Sequence, residues 1–292
     1  MIHVTEDQVR KLLPMHECVV LMKDAFKELR TGEAINQPRR RLNLPTGSTL
    51  HALAGSWGKY FGTKIYSSNP KFGAYFFFLL FDAETARPLA QFEANYLGQI
   101  RTGAASGYAT DILAAPDAST LAVIGSGFQA RTQVEAIRAV RTLKEIRVWS
   151  RNAERCAAFA HEMDAVGCAS AEEAVRGADI VATATYAKDP VLESVWVADG
   201  AHVNAMGSNQ AKRRELPSDL IARADLIAVD SLEQAKIEAG DLLLADVDWA
   251  DPRIVELQNA HRPKGAPLTI FKSIGLGVED VAAAAYVYEQ LL

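Results

Sequence analysis

Residues 121–130 read LAVIGSGFQA, a G-x-G-x-x-A pattern that follows an apolar run and opens a helix-compatible stretch. Gly125 permits a tight turn, Gly127 lets the backbone approach a phosphate closely, and Ala130 keeps helix and strand in contact. A pyrophosphate placed there rests on amides at the positive end of the helix, with Ser126, Phe128 and Gln129 completing the loop. Glycine turns between strands and helices are common. Here a strand and a helix flank the turn, so the segment predicts a dinucleotide site. The next strand-like run ends in VWSRNAER, which puts Ser150, Arg151 and Asn152 where an NAD site carries a ribose-binding acid. No carboxylate there repels a 2′-phosphate, and Arg151 can pair with one. NADP(H) is therefore the expected cofactor and NAD(H) stays open, as does a plain solvated role for Arg151.

A second group of residues is QPRRRLNLP, residues 37–45. If the segment is extended, Arg39 and Arg41 share a face and Arg40 points away. A guanidinium fork holds a planar carboxylate by paired, charge-assisted hydrogen bonds. The net charge of −5 and the absence of other basic runs argue against a nucleic-acid patch. The longest apolar run, Ala74 to Phe81, is far below the ~20 residues that cross a bilayer. No basic segment followed by an apolar stretch opens the chain, so no export signal is expected. Cys18, Cys156 and Cys168 lack paired spacing, and neither a disulfide framework nor a zinc site is expected. The six scattered histidines show no metal-binding pattern. A reducing cytoplasm is the natural compartment.

These groups need elements to position them. Thr5 with Glu6 and Asp7 reads as a helix start, and a second helical pattern runs from Val19 to Thr31-Gly32. From Gln37 to Glu93 short apolar runs separated by turn residues predict a sheet, with a hairpin turn at Phe81–Glu84. Leu97–Leu113 is helical in spacing. Beyond Pro116, strands TLAVIG, EIRVWS, DIVATAT, HVNAMG and LIAVDS alternate with helical segments, the pattern of a doubly wound parallel sheet. Loops at the carboxyl ends of such strands face ligand. Thr183, Ala184 and Thr185 are thus candidate cofactor contacts, as are Met206, Gly207 and Ser208 near the nicotinamide. Asp230 reads as structural. The chain ends in a helix that can pack back on the first domain.

The segments IGSGFQARTQ, QIRTGAASG and FKSIGLGVEDVAAAA together resemble the ornithine cyclodeaminase/mu-crystallin family over nearly the whole chain. That resemblance implies an α/β protein in which a Rossmann-type doubly wound parallel sheet is inserted beside an α+β substrate-binding and dimerisation domain. The expected boundaries are residues 1–115 plus 270–292 for the substrate domain and 116–269 for the Rossmann domain. It also implies a homodimer that binds NADP(H) or NAD(H) and acts on a small α-imino or α-amino acid. Carried over singly, the family's substrate-carboxylate arginines match Arg39, six residues before Pro45, and Arg101 in QIRTGAAS. Its lysine matches Lys64 in GTKIYSSNP, and the resemblance implies that this group joins in holding the carboxylate and contacts the reacting nitrogen or carbonyl. Read alone, Lys64 and Arg101 are ordinary surface cations. Between two arginines, however, Lys64 would have a lowered pKa suited to proton transfer near neutrality. Thr102, beside Arg101, is a candidate phosphate contact.

One position departs from the cyclodeaminases. Their catalytic aspartate is replaced by Asn209 in MGSNQAKRREL, and an amide cannot act as a base, although it can hydrogen-bond an amine or imine. The expected activity is therefore NADP(H)-dependent reduction of a ketimine or cyclic imine carboxylate, or alanine-dehydrogenase-like oxidation. Ornithine cyclodeamination and a non-catalytic NADPH-binding role are the alternatives. The substrate side-chain pocket is expected around His51–Trp57 and Tyr66–Asn69.

Overall fold

The computed structural model describes residues Met1–Leu292 throughout. β1 (Ile2–Val4) leads into α1 (Glu6–Leu12). Thr5 accepts from the Gln8 amide and the Gln8 side chain accepts from the Thr5 amide, so the expected cap is reciprocal. α2 (Met15–Thr31) buries Cys18, Val19, Met22, Ala25 and Phe26 along one stripe. It stops at Gly32, whose φ of 77° is left-handed and favours glycine. Strands β2 (Ile35–Asn43), β3 (Thr49–Trp57), β4 (Tyr60–Asn69), β5 (Gly73–Asp82) and β6 (Pro88–Glu93) follow, then α3 (Asn95–Leu113).

The six strands form one sheet in the order β1-β6-β5-β4-β3-β2, antiparallel except for β1 against β6. The turn after β5 comes later than expected. β5 continues to Asp82, whose carboxylate accepts from the Thr85 amide and hydroxyl, and this local bonding sets where the chain reverses.

The next elements are β7 (Thr120–Ile124), α4 (Phe128–Val140), β8 (Glu145–Trp149), α5 (Ala153–Glu162), β9 (Val166–Gly167), α6 (Ala171–Val175) and β10 (Ile180–Thr183). They continue as β11 (His202–Ala205), α7 (Ser218–Arg223), β12 (Leu226–Val229), α8 (Leu232–Glu238), α9 (Gly240–Leu243), β13 (Ile254–Glu256) and β14 (Thr269–Lys272). Eight strands make a parallel sheet in the order β13-β12-β14-β11-β10-β7-β8-β9. Its central strands are buried on both faces, as parallel strands must be. Leu121 and Val123 pack with α4 and α5, whereas Ala122 and Ile124 pack in a cluster containing Ala174 and Leu220. The order reverses between β7 and β10, and ligands bind such sheets outside the strand ends at that point.

The chain divides into two compact units, Met1–Arg101 with Gly275–Leu292, and Thr102–Ile274. The division falls inside α3 and after Ile274 instead of near residues 115 and 270, because a continuous helix carries no local mark of the first change and Thr269–Lys272 pairs as β14 in the parallel sheet. In the first unit, α10 (Gly277–Glu289) lies on the sheet. A Cβ on Gly55 would meet Val278 N at 2.6 Å, and one on Gly277 would meet Ala54 O at 2.5 Å. Only two glycines allow that approach. No helix is long and apolar enough to cross a membrane.

Candidate active site

β2 is an edge strand, where the missing amide of Pro38 is tolerated. Its register shifts between Gln37 and Arg40. Arg39 is buried at 6% exposure and donates from Nη2 to the Gly275 carbonyl at 3.2 Å, whereas Arg40 is exposed and Arg41 only partly covered. The alternation expected of QPRRR therefore holds. Lys64 stands in the middle of the sheet, opposite Leu53 on one side and Phe78 on the other, and is 3% exposed. Its Nζ donates to Asp280 Oδ1 at 2.9 Å and lies 2.8 Å from Oδ2. Arg101, on α3, donates from Nε to Asp280 Oδ1 at 3.0 Å and from Nη1 to Glu279 Oε2 at 2.7 Å. Gly275 has φ 79°, and any Cβ there would overlap the Arg101 guanidinium.

Lys64 and Arg101 thus meet two fully buried carboxylates, and Arg39 is close enough for its charge to act on Lys64, so three buried cations stand against two acids with one positive charge in excess. That surplus suits a substrate with a single carboxylate. Burial, followed by the Arg101 charge, lowers the Lys64 pKa from 10.5 to about 8, with Arg39 adding to the fall and Asp280 opposing it. The two arginines act as expected, but desolvation is the larger cause. Burial pulls Arg101 down, and Asp280 with Glu279 more than offsets it, so its pKa ends above the usual value. One step along the strands on the Lys64 face, His51 pairs with Tyr66 and Tyr66 with Phe76. The His51 and Tyr66 rings stack at 4.1 Å. Burial, helped by Arg41 and Arg39, lowers the His51 pKa to about 4, so the ring is neutral at physiological pH.

In the second unit the G-x-G-x-x-A segment forms the expected turn. Gly125 has φ 112°, and a Cβ there would come within 2.7 Å of the Ala184 carbonyl. Gly127 caps α4 without a side-chain bond, and a Cβ on it would meet nothing within 4 Å. That open space above a helix start fits a dinucleotide pyrophosphate. Ala130 is fully buried against the sheet, whereas Gly127 and Phe128 are exposed and Ser126 and Gln129 half-buried. At the end of β8, Ser150 Oγ lies 2.8 Å from Ser126 Oγ, and Asn152 caps α5 by accepting from the Arg155 amide. Arg151 between them is exposed. Thr183 ends β10 with Ala184 and Thr185 just after it, and Met206, Gly207 and Ser208 follow β11, so both loops stand at neighbouring carboxyl ends. Asn209 is half-buried just beyond, and Thr102 is 7% exposed on α3.

The model of the ornithine cyclodeaminase/mu-crystallin family matches residues 1–292. The chain belongs to this family. It is 34% identical over 314 residues to Delta(1)-pyrroline-2-carboxylate reductase of Bacillus cereus strain ZK / E33L, covering 99% of this chain and 96% of that protein. The structure of Thermococcus litoralis Delta(1)-pyrroline-2-carboxylate reductase in complex with NADH and L-proline superposes with a TM-score of 0.94 at 30% identity, covering 99% and 97% of the two chains. An archaeal alanine dehydrogenase dimer with bound NAD gives 0.93 at 30% identity, covering 99% and 95%.

Within this family member the cation cluster holds two residues that sequence reading passed over. Glu279 and Asp280 lie in the quoted segment FKSIGLGVEDVAAAA, yet no role attached to them. The available signal was two adjacent acids at the start of an otherwise apolar helix. A fully buried helix carries acids only where cations meet them. Glu215, Asp241 and Lys272, all with no exposed surface, were missed as well.

Proposed function

We propose that this family member is an oxidoreductase that reduces the C=N bond of small α-imino acids, with Δ1-pyrroline-2-carboxylate the leading substrate and NADPH the preferred reductant. The observation that carries the reading is the buried cluster of Arg39, Lys64 and Arg101 with its single positive surplus. Arg39 and Arg101 hold the substrate carboxylate, and that anchor orients the adjacent carbon. When bound, the reduced nicotinamide supplies hydride to that carbon. Lys64 donates a proton at the nitrogen, so hydride and proton together convert C=N to CH–NH. In the opposite direction neutral Lys64 accepts the proton. Asn209 offers no base for water, which disfavours ring-closing deamination.

Exposed Arg151 and the lack of a carboxylate among Ser150–Asn152 support NADPH over NADH. Turnover is checked by following loss of reduced-nicotinamide absorbance with Δ1-pyrroline-2-carboxylate and with pyruvate plus an amine, using each cofactor. Imine reduction is expected, with the lower dissociation constant for NADPH. Arg151→Ala should narrow that preference by about 10-fold or more, the worth of one charge-assisted bond. Proline formed from ornithine without imine reduction would reverse the activity, and equal affinity for both cofactors would sink the preference.

The sheet face opposite Lys64 supports a homodimer. Leu42, Leu50, Phe61, Tyr75 and Phe77 lie there with 36–63% of their surface exposed, an apolar patch of the kind that marks association. A second copy is the proposed occupant, in keeping with the dimer of the alanine dehydrogenase. Phe77→Asp should shift the mass in light scattering from dimer to monomer, and a wild-type monomer would end the proposal. The three free cysteines fit a reducing cytoplasm.

A further inference from the structure

Glu215 has no exposed surface, yet its carboxylate accepts four hydrogen bonds from two separate loops. Oε1 takes the Thr185 amide and hydroxyl, both at 2.7 Å. Oε2 takes the Thr183 hydroxyl at 2.8 Å and the Gly207 amide at 2.7 Å. A carboxylate has about four lone-pair sites, so all are engaged. The loops follow the neighbouring parallel strands β10 and β11. They also touch directly, since a Cβ on Gly207 would overlap Thr185 O and Glu215 Oε1.

Glu215 is itself held. Asp241 Oδ1 accepts from the Glu215 amide at 2.6 Å and from the Leu216 amide at 2.8 Å. Lys272 Nζ, at the end of β14, lies 2.8 Å from Asp241 Oδ2 and donates to the Ser208 carbonyl at 2.7 Å. Burial raises the Glu215 pKa, with Lys272 opposing. Glu215 and Lys272, joined through Asp241, thus bond backbone atoms at positions 185, 207 and 208.

We propose that Glu215 is a positioning residue for the nicotinamide half of the dinucleotide, clamping the loops after β10 and β11 with Asp241 and Lys272 behind it. The proposal rests on reading residues 102–274 as a dinucleotide domain and is independent of which imino acid is reduced. An apolar replacement of a buried ionic group is often no less stable, so stability alone does not account for this network. Its bonds end on the two loops at strand carboxyl ends, where ligands of such sheets bind. Loops fixed beforehand lose less entropy on binding and hold reacting atoms in line. The pyrophosphate is read onto Gly125–Ala130 and the adenosine ribose onto Ser150–Asn152, and the Glu215 carboxylate bonds neither segment.

The test compares whole cofactor with a fragment lacking nicotinamide. Glu215→Gln puts an amide donor against one of the Gly207 or Thr185 amides. Its dissociation constant for NADPH should rise by about 10-fold or more, whereas those for ADP and for ADP carrying a 2′-phosphate stay at wild-type values. Thr183→Val, which removes one hydroxyl donor with little change of shape, should give a smaller rise of the same selectivity. It also serves if Glu215→Gln does not fold. Cofactor and fragment weakened by the same factor, or neither weakened, would show a merely structural role and overturn the proposal. Wild-type protein that binds neither NADPH nor ADP would overturn the dinucleotide reading and the proposal with it. Intact NADPH binding without imine reduction would count only against the substrate assignment.

Discussion

Lys64→Ala is expected to lower kcat for imine reduction by about 10²–10⁴-fold, the usual worth of a positioned proton donor. The NADPH dissociation constant should stay as in wild type, because Lys64 is bonded to Asp280 in the first unit and not to the glycine turn. The pH dependence has a definite sign. With its pKa lowered to about 8 by burial and Arg101, Lys64 is protonated below that pH and neutral above it. As the proposed proton donor Lys64 must be protonated for imine reduction, so kcat/KM is expected to fall as pH rises through about 8. Oxidation of the amino acid needs the neutral amine and rises across the same range. Profiles measured in both directions should cross in this way, and Lys64→Ala should lose the inflection. Unchanged turnover in the variant would remove Lys64 from the mechanism and leave NADPH binding without catalysis as the better account.

Arg101→Met has the second large effect, and it falls on stability as well as on substrate binding. Arg101 is the cation shared by Glu279 and Asp280, both fully buried. Removing one partner of a buried ionic cluster costs about 3–5 kcal/mol, because the remaining charge keeps its desolvation penalty. A clear fall in the thermal unfolding midpoint is the expected result by calorimetry. Arg101→Met with Glu279→Met removes one charge of each sign and should recover much of the midpoint, while the KM for the imino acid stays high. Recovery of both stability and KM in the double variant would show that Arg101 only neutralises acids and does not hold substrate.

The parts of the site that sequence alone reveals are those made within one short segment. The turn at Gly125–Ala130 is such a part, since its φ of 112° and its open helix start depend on residues a few positions apart. The cap at Thr5 and the facing of Arg39 against Arg40 are also local, one a hydrogen bond across three residues and the other the two-residue repeat of a strand. The run of strands and helices from Thr120 onward announces a parallel sheet for the same reason.

What the sequence could not disclose is decided over distance. Lys64 meets Asp280 across 216 residues and Arg101 meets it across 179. The meeting depends on α10 lying against β3 through Gly55 and Gly277, and no periodicity marks those glycines as a contact. Glu215 reads as one more charge in AKRREL until folding brings Thr183, Thr185 and Gly207 around it. By itself the sequence determined the glycine turn between β7 and α4, the cations and the alternation of strands and helices from Thr120 to Val229. Only the tertiary structure decided which acids are buried against them, because burial belongs to the packed neighbours of a residue and not to its place in the chain.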